Sequence, residues 1–338
     1  MFVDNLIEEI SITELPNVKI GSSEDFEGGT GCTVILCEDG APAGVDVRGG
    51  GPASRETQLL NPTMAMDKIN AVVLSGGSAF GLDASGGVMS YLESKGIGFD
   101  VGVTKVPIVC QSSIFDLTVG SMKKMPNFDM AVKACENAEI NMPEQGCYGA
   151  GVGATVGKVL GMDRCTKSGI GIYAAKLGGL MVGAIVVVNA FGDIFDFETG
   201  KKVAGVLNKD KTKLSKKDCQ ELMFEFYSNF ENQIITNTTI GAVLTNANFD
   251  KTHMTKVAQM AQDGYSRSIC PVHTTLGGDT IYALSLGDLK ADINLVGTLS
   301  AYVTSKAIVN AIKFSKSMYG FKACLLYTSP SPRDRQKS

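Results

Sequence analysis

Glycine placement constrains this chain more than any other feature. The 338 residues include 39 glycines, gathered at EGGTG (27–31), RGGGP (48–52), SGGSAFG (75–81), GAGVGA (149–154) and LGGL (177–180). Clusters of this kind mark tight turns and places where two backbones touch, because only a residue without Cβ fits there. Between them lie β-branched runs that read as buried strands at 32–36, 71–74, 183–189, 239–245 and 279–285. Helical patterns cover 78–94, 127–138, 215–229 (Leu222, Met223 and Phe226 on one face), 252–264 and 297–316. Strands and helices mix throughout, which predicts a layered α/β protein. No linker or charge block interrupts the chain before its last fifteen residues, so one domain over 1–323 is expected. The segment CLLYTSPSPRDRQKS (324–338) has a composition unlike the rest and reads as an adapter-derived artefact tail outside that domain.

A net charge of −4 gives no basic footprint for nucleic acid. Acids occupy the first residues where a signal peptide needs a basic segment, and the longest apolar runs, such as GAIVVVNAF, fall short of a membrane span. A cytoplasmic protein without membrane or nucleic-acid partners is expected. The nine cysteines are scattered, the closest pair being Cys32 and Cys37, and read as buried reduced thiols. Only His253 and His273 offer imidazoles, so neither a metal nor a metal cofactor is expected. The run GAGVGATVGK fails as a phosphate loop, since Val152 stands where the motif needs glycine and Val159 where it needs Ser or Thr. Its dinucleotide-binding match is equally weak, which leaves a non-catalytic nucleotide-binding module as a remote alternative.

The segment that carries chemistry is Asn237-Thr238-Thr239, placed at the start of the 239–245 strand. Read alone, it is also a glycosylation sequon or a capped turn. A threonine hydroxyl in this position can attack the preceding carbonyl to give an ester, and water then cuts the chain before Thr238. The new α-amine, with a pKa of about 7.7–8.0, takes the proton from the adjacent hydroxyl. One residue then supplies nucleophile and base, without a catalytic histidine.

With PVHTTLGGDTIYAL (271–284) following it, this segment resembles the L-aminopeptidase/D-esterase family, which includes β-peptidyl aminopeptidases and nylon-oligomer hydrolases. VDVRGG (45–50), LSGGSAFGLDASGGVM (74–89), IFDL (114–117), GAGVGATVGK (149–158) and VGAIVVVNAFGDI (182–194) match that family's motifs in order, so the resemblance spans nearly all of 15–316. It implies an αββα sandwich of the ornithine acetyltransferase type, cleaved into 1–237 and 238–323 and assembled as a homo-oligomer of processed heterodimers. It implies Thr238 as nucleophile, Asn237 before the cut, Asn189 on the oxyanion, Asp279 orienting the nucleophile and its amine, and Lys158 near the site. Lys158 has a solvated surface charge as its competing reading. The implied activity is cofactor-free hydrolysis of small aminoacyl amides, esters or short peptides, ω-amino and β-amino amide oligomers included. An acyltransferase using the same nucleophile is the alternative.

Two positions depart from the pattern. Gly277 stands where relatives carry an acidic or hydroxyl residue, so one hydrogen bond to the nucleophile is absent or comes from Thr274, Thr275 or water. Phe115 replaces a tyrosine of the nylon-hydrolase branch and removes a second oxyanion donor. The turn at Ser78 reads as a helix start whose backbone amides face substrate.

Overall fold

A computed structural model describes residues 6–226 and 237–323. The 324–338 tail and residues 227–229 of the expected third helix therefore lie outside the described residues. Ten strands build two sheets: β1 (Glu8–Ile10), β2 (Lys19–Asp25), β3 (Thr30–Val47), β4 (Ala53–Arg55), β5 (Lys68–Ser75), β6 (Val109–Ser113), β7 (Ile170–Leu177), β8 (Leu180–Asn189), β9 (Thr238–Ala247) and β10 (Thr280–Leu289). Among the described residues five helices accompany them: α1 (Ala84–Ser94), α2 (Phe128–Ala138), α3 (Cys219–Glu225), α4 (Lys251–Ser268) and α5 (Ile293–Lys313).

The first sheet runs β1-β7-β8-β9-β10-β3 and the second β2-β3-β5-β6-β4. Both contain β3. Its first half pairs with β2 and β5, its second half pairs with β10, and the register breaks between Leu36 and Ala41. Gly40 lies in that break at φ +74°, a conformation that costs glycine little and lets the strand turn from one sheet into the other. Pairing is antiparallel except for β5 with β6 and β9 with β10.

Alternation along the strands assigns each face to a layer. On β8, Val182, Ala184, Val186 and Val188 pack with Met254 and Val257 of α4 and Val303 and Ala307 of α5. The intervening Ile185 and Val187 face the other way, joining Ile35, Val72 and Leu74 of the second sheet. The second sheet's outer face, Val34, Ala71 and Val73, is covered by Val88 and Leu92 of α1 and Ala131 and Ala134 of α2. The order helix, sheet, sheet, helix is the αββα sandwich expected.

Helix starts are fixed by side-chain caps: Asn127 accepts from Met130 N, Asp250 from His253 N, and Asp292 from Asn294 N and Leu295 N. By length and composition α5 could cross a membrane, yet 67% of that stretch is buried, against β7 and β8. Contact there is backbone-close, since a Cβ on Gly171 of β7 would lie 1.9 Å from Ala307 O. The helix expected from residue 78 begins as a 3₁₀ turn (Ser78–Asp83) and becomes α-helical only at Ala84. Phe226, expected on the buried face with Leu222, is exposed just past the end of α3.

Eight free cysteines are described, seven of them buried, in keeping with reduced thiols. Burial pushes the thiols of Cys37 and Cys110 up to about 12.

Candidate active site

The last residue of β8 and the first of β9 are direct partners across the antiparallel ladder, Asn189 opposite Thr238. Partnered residues put their side chains on the same face. By the alternation above, that face looks between the two sheets. Both residues are buried.

Thr238 Oγ1 donates to the carbonyl of Asn237, the bond partner on the far side of the expected cut. The same oxygen accepts the Gly278 N–H at 3.0 Å. Gly278 is brought there by a parallel bridge between Asn237 and Gly277 and by the Asn237 N–H, which donates to Leu276 O at 3.2 Å. The hydrogen bond missing from a side chain at position 277 is thus supplied by the next backbone amide, not by Thr274 or Thr275. A backbone donor leaves no mark in the sequence, which is why it was not anticipated. Asn237 is itself buried, and a Cβ on Gly277 would lie 2.5 Å from its Oδ1.

The Asn189 amide is gripped on both sides. Its Oδ1 accepts the Thr155 N–H at 3.1 Å and Lys158 Nζ at 2.7 Å, while Nδ2 donates to Phe115 O at 2.9 Å. An amide nitrogen carries two hydrogens, so one remains for another acceptor. Phe115 contributes its backbone carbonyl where a tyrosine hydroxyl was missed.

Lys158 is 1% exposed, which overturns its reading as a solvated charge. Burial lowers the ammonium pKa to about 8, against the opposing pull of Asp116 and Asp279. Its Nζ also reaches Asn189 O at 3.3 Å, so the amine is tied to one residue by two contacts.

Asp279 lies just before β10, buried, and does not bond the Thr238 hydroxyl. Its Oδ1 accepts the Thr239 N–H at 2.8 Å and its Oδ2 the His273 N–H at 2.9 Å. It therefore orders the backbone one residue beyond Thr238. His273, left unassigned by sequence reasoning, places its imidazole Nδ1 3.3 Å from the same carboxylate.

The Ser78 turn differs from its sequence reading, whereas the 149–158 segment agrees with its failure as a phosphate loop. The N–H groups of Gly77 and Ser78 donate to Asp116 Oδ1 and Ile114 O, so they are committed within the protein and do not face substrate. In the 149–158 segment, the carbonyls of Gly151 and Ala154 converge on buried Lys167 Nζ at 3.2 and 2.9 Å. A phosphate loop needs the reverse polarity, with N–H groups converging on an anion. Among the described residues no cluster of His, Cys, Asp and Glu could hold a metal ion.

A family model described as peptidase family S58 matches residues 11–325. An uncharacterised aminopeptidase of Mycobacterium leprae (strain TN) is 36% identical over 298 residues, covering 83% of this chain and 80% of its own. A 6-aminohexanoate-oligomer endohydrolase of Kocuria sp. (strain KY2) is 30% identical over 318 residues, covering 89% and 85%. Among solved structures, a protein of Pyrococcus horikoshii OT3 aligns with a TM-score of 0.68 at 19% identity, over 98% of this chain and 95% of its own. The L-aminopeptidase D-Ala-esterase/amidase of Ochrobactrum anthropi, described as a variant of the Ntn hydrolase fold, aligns with a TM-score of 0.65 at 17% identity, over 91% and 87%. At these identities the structural likeness is one of fold.

Proposed function

This chain belongs to peptidase family S58 and is an amidohydrolase of the aminopeptidase type, and from that premise we propose that Thr238 is its nucleophile, released by self-cleavage after Asn237. The observation that carries the reading is the pair of contacts on Thr238 Oγ1. Its proton points at the Asn237 carbonyl, and the Gly278 N–H is aimed at the oxygen itself. An N–H donor there favours the developing alkoxide.

In maturation, Oγ1 bonds to the Asn237 carbonyl carbon, the C–N bond to Thr238 breaks, and the hydroxyl proton ends on the freed amine. Water then splits the ester, leaving Asn237 as a carboxylate and restoring the hydroxyl. In turnover the α-amine of Thr238 takes the hydroxyl proton, Oγ1 attacks the substrate carbonyl, and the second N–H of Asn189 holds the oxyanion. The leaving amine or alcohol departs with the proton, and water releases the acyl group. Lys158, donating to Asn189 Oδ1, polarises that amide and strengthens its donor side.

The two fragments stay together on this reading. Residues 238–323 supply β9 and β10, the strands between β8 and β3 in the first sheet, and α4 and α5, which cover it. Neither piece can bury its apolar faces alone. The substrates proposed are small aminoacyl amides, esters or short peptides, with linear ω-amino amides such as 6-aminohexanoate oligomers first in line; assembly into a homo-oligomer belongs to the same proposal.

Thr238→Ala and Thr238→Ser test the assignment on aminoacyl p-nitroanilides and 6-aminohexanoate oligomers. The alanine variant is expected to lose both self-cleavage and hydrolysis, and the serine variant to keep a measurable part of each. Hydrolysis by Thr238→Ala at the parental rate would refute it.

A further inference from the structure

The machinery proposed above leaves a buried carboxylate beside the site without a task. Asp116, 2% exposed, follows directly on Phe115, whose carbonyl holds the Asn189 amide. Both of its oxygens are engaged: Oδ1 accepts the Gly77 N–H and Oδ2 the Thr30 hydroxyl, each at 2.7 Å. Three chain turns from EGGTG, SGGSAFG and IFDL therefore meet on one side chain.

The fit around it is tight. A Cβ on Gly76 would stand 2.0 Å from Asp116 Oδ2 and 2.1 Å from Thr30 Oγ1, and one on Gly153 would stand 2.5 Å from Asp116 Cβ. Glycine at these points is what leaves room for the carboxylate. Among the described residues no lysine or arginine lies within ion-pair distance of it. Burial pushes its pKa up to about 6, against the Gly77 N–H, the Thr30 hydroxyl and the charge of Lys158. A plug that only filled space would avoid that desolvation.

We propose that Asp116 is a positioning residue of the acyl-transfer centre: by clamping the Thr30 and Gly77 turns to its own loop it fixes the Phe115 carbonyl, and through it the direction of the Asn189 amide. The inference rests on the assignment of Asn189 to the oxyanion. Rotation about the last side-chain bond of asparagine is soft. Thr155 and Lys158 hold the oxygen side of the amide, and Phe115 O decides where the nitrogen's second hydrogen points. Asp116 touches no substrate and acts only through that relay.

The test compares kcat and KM of Asp116→Ala, Asp116→Asn and Thr30→Val in the processed enzyme, on a p-nitroanilide that the parent cleaves. Asn preserves the clamp, since its oxygen accepts from Gly77 while its NH₂ donates to the Thr30 hydroxyl oxygen. Loss of the clamp is expected to lower kcat of Asp116→Ala by ~10–100-fold with KM within about 2-fold, as a displacement of about 1 Å does elsewhere. Asp116→Asn is expected to recover to within about 3-fold of the parent, and Thr30→Val, which loses one of two clamps, to fall by about 3–10-fold.

An Asp116→Ala enzyme with parental kcat overturns the proposal, as does Asp116→Asn failing as badly as alanine. Where Asp116→Ala does not fold, a parental kcat in Thr30→Val overturns it equally. Asn189→Asp, measured alongside, separates the two readings. If it is slow while the Asp116 and Thr30 variants are not, only this inference fails; if it keeps the parental kcat, the oxyanion assignment itself fails.

Discussion

Replacing Asn189 by aspartate removes the proposed oxyanion donor while leaving nearly all of its structural contacts. The side chain is fully buried. Its Oδ1 accepts from Thr155 N and Lys158 Nζ, and a carboxylate oxygen does the same, turning the 2.7 Å Lys158 contact into an ion pair. On the other side, the N–H that donates to Phe115 O becomes an oxygen facing an oxygen, and the second N–H disappears. The lost hydrogen bond and repulsion weaken the fold by about 1–3 kcal/mol, offset in part by the new pairing with Lys158. Catalysis has no such offset: loss of one preorganised donor costs about 2.7–4 kcal/mol, or 10²–10³ in kcat. The assay is kcat per cleaved chain, with the cleaved fraction taken from intact mass and stability from thermal melting. A variant melting close to the parent with kcat reduced at least about 100-fold fits the account. A kcat within about 5-fold of the parent, in a folded and processed protein, refutes the role given to Asn189.

Three further outcomes follow from the geometry. Lys158, with its pKa lowered to about 8 by burial, is charged below that pH and neutral above it, whereas the Thr238 amine must be neutral and gains activity through about 7.7–8.0. The kcat/KM profile should therefore be a narrow bell centred near pH 8, and Lys158→Met should remove its falling limb; an unchanged high-pH limb in that variant would rule Lys158 out as its source. Gly277→Ala, whose Cβ would meet Asn237 Oδ1 at 2.5 Å and Asn237 O at 3.0 Å, should slow self-cleavage about 10-fold or more in a mass time course. Gly171→Ala forces a Cβ to within 1.9 Å of Ala307 O, two strands over from β9, and should lower stability by about 1–3 kcal/mol in denaturant unfolding without changing kcat.

The parts of the fold visible in the sequence are those whose side chains announce their surroundings. β5, β8, β9 and β10 carry β-branched runs because both faces are covered, and the sequence reading found each of them, short by a few residues. β6 (Val109–Ser113) escaped, since its buried face is polar: Gln111 and Ser113 bond Ser75 across the sheet. The 18-residue β3 was seen only as 32–36, because the acidic turn at Glu38-Asp39-Gly40 interrupts a strand that serves two sheets. Parallel and antiparallel pairing follows from long-range docking and has no local signature. In the site, Thr238 and Asn189 were legible through the family resemblance, each lying at the end of a strand that carries one of its motifs. Lys158 was set near the site by the resemblance with a solvated charge as the competing reading, and only the tertiary structure shows it enclosed. Asp116 and the Gly278 N–H were out of reach for related reasons: one finds its partners 39 and 86 residues away, and the other is a donor that every residue except proline possesses.

The central claim is that the chain cuts itself between Asn237 and Thr238 and works from the new terminus. Intact mass of the purified, denatured protein, with N-terminal sequencing of any smaller species, addresses it directly. The account predicts a fragment beginning Thr238-Thr239-Ile240, absent from Thr238→Ala. A single uncut chain after long incubation, with hydrolytic activity retained, would contradict it.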